Sequence, residues 1–336
     1  MRESSVGVVG ATGALGRELV QILEGRQFPV SSLKVFATEG SVGERIEYLG
    51  NELSVEKLTA DALLGCEILF FATPREITRE YAPDAANGGS FIVDSSGAFG
   101  ELAVVPEVNG DALRAALRLG RRGVIISSPS GAAIQLAVAL KPIQSFVSRA
   151  VVTTLEPVST IGQRGVDELS KQVLELFNGT DSEPEHFPAR MAFNCIPQVG
   201  SFLPNGTTEG EERIQGELAT LLGTDSIHVT ATTVRVPTFS CISQSVVCDL
   251  TGDLTADEAR ELLRQSPGIV VSDDPQNGVY PMNAELVGSD AVYVGRIRSE
   301  SPRELLLWIA SDNLRKGGAL NMVQIAEIAI TEWARN

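Results

Sequence analysis

The sequence is poor in the side chains that most often do chemistry. Among 336 residues there are 2 histidines, His186 and His228, and 4 cysteines, Cys66, Cys195, Cys241 and Cys248. The cysteines are scattered, without CxxC spacing or histidine-rich company. That pattern argues against a zinc framework or a disulfide scaffold and reads as reduced thiols of a cytoplasmic protein; no metal site is expected. No apolar run approaches the ~18 residues of a membrane span. Val6–Leu15 is apolar, but it is glycine-rich and follows Glu3, so it does not read as a signal peptide. Basic residues are scarce too. The chain has 27 Lys+Arg against 43 Asp+Glu and a formal net charge of −16. This argues against nucleic acid or an anionic membrane surface as the main partner. Hydrophobic residues make up 43% of the chain, which excludes general disorder. At about 150 residues per domain the length suggests two domains.

The first third alternates strand and helix signals. Val6–Val9, Leu33–Ala37, Ile68–Ala72, Phe91–Val93 and Val124–Ser127 read as short buried strands. Leu15, Leu19, Ile22 and Leu23 fall at helical spacing after the first of them. Strands alternating with helices imply an α/β domain built on a parallel sheet. The middle differs. Val151–Val158 is strand-like, and Val166–Phe177 is helical up to Asn178-Gly179. Capping boxes at Thr208–Glu211 and Thr255–Glu258 open helices that run to Leu222 and to about Gln265. His228–Leu250 is long and β-branched, broken at Pro237, and Val292–Arg298 and Leu305–Ala310 complete the strands. Long antiparallel runs point to an α+β second domain. Leu320–Arg335 reads as a final helix with Val323, Ala326, Ile330 and Trp333 on one stripe. Gly179–Pro188, acidic and proline-containing, reads as an exposed loop.

Gly10-Ala-Thr12-Gly13-Ala14-Leu15-Gly16 lies between the first strand and the first helix. Glycines there let the backbone turn tightly and approach a pyrophosphate. The helix N-terminus then offers free N–H groups and a partial positive charge. The alternative is a tight turn that binds nothing. Glu39 follows the second strand. Its carboxylate can accept from a ribose 2′-hydroxyl and would repel a 2′-phosphate, so the residues lean toward NAD over NADP; it can equally be a solvated loop acid.

The chain resembles the aspartate-semialdehyde dehydrogenase family over essentially its whole length. The matching segments run from Val9–Arg17 through Glu80–Pro83, Val104–Asn109, Ala133–Gln135, Ala192–Asn194, Arg235–Pro237, Asp273–Pro275, Val294–Arg298 and Ser311–Gly317 to Ala319–Asn321. The resemblance implies a Rossmann-type dinucleotide-binding domain, residues 1–130 and 315–336, to which the C-terminal helix returns. Residues 131–314 would form the substrate and dimerisation domain, giving a homodimer. The family reduces aspartyl phosphate with NADPH through a cysteine thioacyl intermediate and a histidine acid/base. An arginine binds the substrate carboxylate, and a further arginine and a lysine bind its phosphate.

The departures from the family pattern fall on that chemistry. In Pro129–Gln135 the nucleophile position is Gly131. Seven residues after Arg235, the histidine position is Ile242, and Gln244 lies two places further on. The family's active-site glutamine appears as Glu156. Its phosphate-binding arginine is Gly100, and its 2′-phosphate arginine is Gly40, beside Glu39. Arg235 remains, and Arg213 stands for the lysine. Asn313 matches the stretch near the nicotinamide. A nucleophile or its base alone can be worth about 10⁶-fold in turnover in a related covalent mechanism. Ser128 and Ser130 flank the emptied position but lack a base. Cys241 is expected to face away as a small buried hydrophobe, and the two histidines lie outside every motif. Glu156 could act as a base, repel an anionic substrate, or pair with Arg235 or Arg213; the pairing is the expectation. The pattern resembles the Usg branch of the family, which lacks the catalytic cysteine and histidine. A non-catalytic, dimeric nucleotide- or partner-binding protein is therefore expected. The alternatives are an active NAD(P)-dependent oxidoreductase with altered chemistry on a small carboxylate-bearing aldehyde or acid, and a mixed dimer with the active dehydrogenase.

Overall fold

The structure, a computed structural model, describes residues 2–100, 102–118, 123–224 and 226–335. The chain divides into two compact units, one of Met1–Ser130 with Gly318–Asn336 and the other of Gly131–Gly317. The elements of the first part are β1 (Ser4–Val9), α1 (Ala14–Gly25), β2 (Val30–Ala37), β3 (Arg45–Tyr48), β4 (Asn51–Ser54), β5 (Glu56–Lys57), α2 (Ala60–Leu63), β6 (Ile68–Phe71), α3 (Arg75–Asn87), β7 (Phe91–Asp94), α4 (Pro106–Arg118) and β8 (Ile125–Ser127). The second unit contributes α5 (Gly131–Leu140), β9 (Val147–Glu156), α6 (Gln163–Phe177), α7 (Glu209–Leu222), β10 (His228–Arg235), β11 (Ile242–Leu250), α8 (Ala256–Arg264), β12 (Ile269–Val271), α9 (Asn283–Leu286), β13 (Val292–Arg298) and β14 (Glu304–Ser311). A π-helical turn, Arg315–Ala319, leads into α10 (Leu320–Trp333).

In the first unit the order is β5-β2-β1-β6-β7-β8, and every pairing is parallel. The order reverses at β1, with β2 on one side and β6 on the other. The glycine-rich segment follows β1 at that switch point, where such folds bind ligands. Ile68–Phe71 and Phe91–Asp94 are buried throughout, as strands covered on both faces must be. Helix α10 packs on α4 and α1 of the same unit. The expected stripe understates it. Leu320, Met322, Ile325 and Ala329 are buried as well as Val323, Ala326 and Ile330. The helix is therefore core on most of its surface, which a one-sided pattern cannot display. Buried Glu332 near its end accepts from Arg118 at 3.1 Å and Arg335 at 2.9 Å.

The second unit is not the antiparallel sheet that its long strands suggest. Its order is β10-β9-β11-β14-β13-β12. β10 pairs with β9 in parallel, and β12 with β13 likewise, while β9–β11, β11–β14 and β13–β14 are antiparallel. β10 and β11, consecutive in sequence, flank β9 instead of forming a hairpin. Pro237 lies in the crossing segment between them, where no ladder donor is needed. Both capping boxes form as read: Glu211 and Glu258 each donate backbone N–H to a threonine hydroxyl and accept from its backbone in return. Helix α5 is buried along its length beyond Gly131. The helix-covered face of the sheet carries Val152, Thr154, Glu156, Arg235, Gln244 and Val246, all buried. Alternation places Val151, Leu155, Val247 and Trp308 on the opposite face, each only half-buried. A cavity of about 560 Å³ opens there, with Leu155, Tyr280, Met282, Arg296, Arg298 and Trp308 in its lining.

Asn321 ties the start of α10 into the first unit. Its Nδ2 donates to Val104 O at 3.0 Å and to Ser128 Oγ at 2.9 Å. Asn321→Ala is expected to cost about 1–3 kcal/mol, because it strands buried acceptors. Thr255→Ala, at the exposed cap of α8, should cost about 1 kcal/mol. Urea unfolding of the full-length protein, read as midpoint shifts, measures both.

Candidate functional site

The first candidate site is the loop after β1. Gly10 has φ +83°, and a Cβ there would lie 2.4 Å from Ala72 O. A Cβ at Gly16 would lie 2.2 Å from Gly10 O. Both glycines are thus demanded by close backbone approach. Gly10 and Ala11 donate to Phe36 O at 2.9 and 3.1 Å, which ties the loop to β2. Gly13 is the exposed N-cap of α1 and supplies no side-chain cap, and the first turn holds no acidic residue. Thr12, Ala14 and Leu15 are half-buried beside it. The helix N-terminus therefore keeps free N–H donors and its partial positive charge. A cradle of this kind fits the pyrophosphate of a dinucleotide. Glu39 opens a short 3₁₀ turn after β2, and its exposed carboxylate pairs with Lys57 at 3.0 Å. Gly40 beside it is open, with nothing within 4 Å of a Cβ.

The second candidate site lies within the other unit, at one end of its mixed sheet. The parallel register pairs Glu156 with Arg235. The same face holds Gln244, opposite Thr154. Gln244 is fully buried, and its Nε2 donates to Ala132 O at 2.9 Å, linking β11 to the first turn of α5. A Cβ on Gly131 would lie 3.3 Å from Ile242 Cδ1 and 3.0 Å from Gly317 O. The two positions expected to have carried nucleophile and base therefore do face each other. Between them are an aliphatic side chain and a glycine backbone. Gly100, by contrast, is exposed, with nothing within 4 Å of a Cβ. Asn313 lies in the second unit, where its amide accepts from Cys241 N at 2.9 Å and donates to Ser159 Oγ at 3.1 Å. Its side chain braces the start of β11.

The expected pairing of Glu156 with the arginines is not a direct one. Among the described residues neither arginine forms an ion pair with it. Glu156 accepts from Thr154 Oγ1 at 3.3 Å. Arg235 donates to Pro157 O at 3.3 Å and to the Thr160 hydroxyl, and its guanidinium lies 5.5 Å from the Phe187 ring centroid. Arg213 is held by Glu217 at 2.7 Å, one helical turn along α7. Burial pushes the Glu156 carboxyl above its usual range, against the opposing pull of Arg235, the Thr154 hydrogen bond and Arg213. Burial likewise lowers the Arg235 guanidinium, and Glu156 opposes it. The site is therefore a desolvated acid with two cations close enough to act on it and not joined to it.

Thr160, Phe187 and Glu217 escaped the sequence reading. Glu217 carried a usable signal, four residues after Arg213 on a helix. Phe187 carried none, since the loop it turns in from is otherwise mostly exposed. Cys241 precedes β11 with φ +70°, and its side chain is buried with Leu286, Ala310 and Tyr293. Burial, with the Asp312 charge adding to it, pushes its thiol up to about 12. A thiol so rarely ionised does not supply a nucleophile. His186 is exposed in its loop and His228 is exposed at the start of β10.

Comparison with known proteins places both units in one family. Residues 5–116 match the family described as semialdehyde dehydrogenase, NAD binding domain, and residues 140–316 match semialdehyde dehydrogenase, dimerisation domain. The chain belongs to the aspartate-semialdehyde dehydrogenase family. It is 38% identical to the enzyme of that name from Legionella pneumophila, over 99% of this chain and 97% of the relative. The one from Aquifex aeolicus is 36% identical, over 97% and 98%. Among solved structures, aspartate semialdehyde dehydrogenase II from Vibrio cholerae superposes with a TM-score of 0.94 at 34% identity, covering 99% of this chain and 100% of that one.

The contrast between packed and open glycines is testable. Gly16→Ala should destabilise the protein by about 1–3 kcal/mol, the usual cost of overpacking. Gly40→Ala should change stability by less than about 0.5 kcal/mol. Thermal unfolding midpoints of the two variants decide it.

Proposed function

We propose that the protein is a non-catalytic member of its family, of the Usg branch, working as a cytoplasmic homodimer that binds a dinucleotide or a partner. The observation that carries this reading is the apposition of Gly131 and Ile242. A thioacyl mechanism needs a thiolate at one of these positions and a proton carrier at the other, and neither residue can serve. Ser128 is no substitute: its hydroxyl is engaged by Asn321 and has no base beside it. The test is phosphate-dependent turnover of aspartate semialdehyde by the purified protein with NAD and with NADP. The expected rate is about 10⁵-fold or more below that of an active relative assayed in parallel. An enzyme-like rate overturns the reading. Calorimetric titration with the two cofactors tests the other half. Glu39 and Gly40 support tighter binding of NAD than of NADP.

One observation favours a second reading. Glu156 is a buried carboxyl with a raised pKa beside Arg235, as a general acid/base would be. An oxidoreductase transferring hydride directly to or from a small carboxylate-bearing aldehyde or acid, without a covalent intermediate, is compatible with it. A substrate screen following nicotinamide absorbance distinguishes the two.

The homodimer is supported by the match to the family's dimerisation domain and by the half-buried outer face of the mixed sheet. Val151, Leu155, Val247 and Trp308 form a surface that a second copy would dry. Trp308→Glu is expected to shift the protein from dimer to monomer in light scattering at micromolar concentration, with the secondary structure unchanged by circular dichroism.

A further inference from the structure

We infer that the cavity on the outer face of the mixed sheet is a further binding site, for a small organic dianion with a flat apolar body, and that Arg296 and Arg298 hold its charged head. The volume, about 560 Å³, suits a compact small molecule. Both arginines lie in the lining, both are exposed, and no acidic residue lines the cavity. Among the described residues neither arginine forms an ion pair, although the chain carries a formal net charge of −16. Asp273, which accepts from the backbone of Ile297 between them, is taken by Arg260 at 2.6 Å. Two cations without a counter-charge match two negative charges on a ligand.

The backbone supports the same assignment. The pairing of β13 with β14 loses register between Gly295 and Arg298, and bulges of this kind re-aim side chains. Gly295 is pressed against its neighbours: a Cβ there would lie 2.2 Å from Ser272 O. Arg296 follows with φ +52°, a left-handed conformation that is costly for a long side chain. Arg298 Nη1 donates to Arg296 O at 3.0 Å, which ties the second guanidinium to the first residue and leaves its other N–H groups as donors. The rest of the lining suits an apolar body. Trp308 Nε1 is spent on Pro281 O at 3.1 Å, so the indole offers its ring, and Tyr280, Leu155 and Met282 lie in the same wall. The homodimer reading lays a second copy against this face. The inference does not use that contact, but it requires the copy to roof the cavity and not fill it.

The experiment is calorimetric titration at pH 8 with three probes. Phenyl phosphate has two charges and a ring, inorganic phosphate the head group alone, and benzoate the ring with one charge. Phenyl phosphate is expected to bind about tenfold more tightly than either of the others. Arg296→Gln and Arg298→Gln should each weaken phenyl phosphate about tenfold and benzoate about threefold, because the lost attraction scales with ligand charge. Arg296→Gly should bind as poorly as Arg296→Gln yet unfold at a higher temperature, since glycine accepts the left-handed backbone freely. A merely structural arginine would lose stability along with its side chain. Equal affinities for the three probes, phenyl phosphate binding that neither glutamine variant changes, or a lowered unfolding temperature for Arg296→Gly overturns the inference. So does a shift from dimer to monomer in ligand-free light scattering of either glutamine variant, which would make the arginines contacts of the second copy. A wild type that is monomeric and still binds phenyl phosphate through both arginines retains the site and overturns only the homodimer.

Discussion

The parallel register of β9 and β10 is the constraint on which the second unit depends. It sets Glu156 against Arg235 at one end of a mixed sheet and on its helix-covered face. The antiparallel partner β11 then carries Ile242 and Gln244 under the first turn of α5. Three strands and a helix terminus so converge on one small volume. Gly131 and Ile242 face each other within that volume. Position and chemistry are separable here because main-chain hydrogen bonds fix the position, and those do not depend on the identity of the side chains at the site.

The positions expected to depart from the family pattern are physically unlike. Gly40 and Gly100 sit in open space, where a side chain would cost the fold nothing. Gly131 is pressed against Gly317, whose own Cβ would fall 3.1 Å from Gly131 Cα. Glycine at 131 thus permits a backbone approach that a larger residue would have to relax. A side chain at 131 would meet the Gly317 carbonyl and Ile242, whereas one at 40 or 100 would meet nothing within 4 Å.

Much of the fold was legible because it depends on short-range signals. Buried strands of four residues between turn residues, threonine–glutamate capping boxes and a glycine-rich turn each have a local cause, and each appears where that cause lies. The mixed sheet was not legible, since β10 and β11 are long and β-branched whichever neighbour they choose. Only the tertiary partner β9, placed between them, decides it. Helix α10 was half legible: a stripe could be seen, but not that the faces beside it are also buried. At the site, Arg235, Glu156 and Gln244 were identifiable only through the family resemblance. How Arg235 is held was not, because Phe187 and Thr160 arrive from a loop and a 3₁₀ turn that share no periodicity with the strands. The expected direct Glu156–arginine contact failed for the same reason: spacing along a chain says nothing about where a guanidinium finds a nearer acceptor.

The burial of α10 has a consequence for how the protein is made. The first unit's core includes Leu320, Val323, Ile325 and Ala326, yet all of Gly131–Gly317 is translated before them. A growing chain therefore carries an unfinished parallel sheet throughout synthesis of the second unit. The unit that begins the chain is completed only by its last helix, so its core is the one closed by the most distant pairing in sequence.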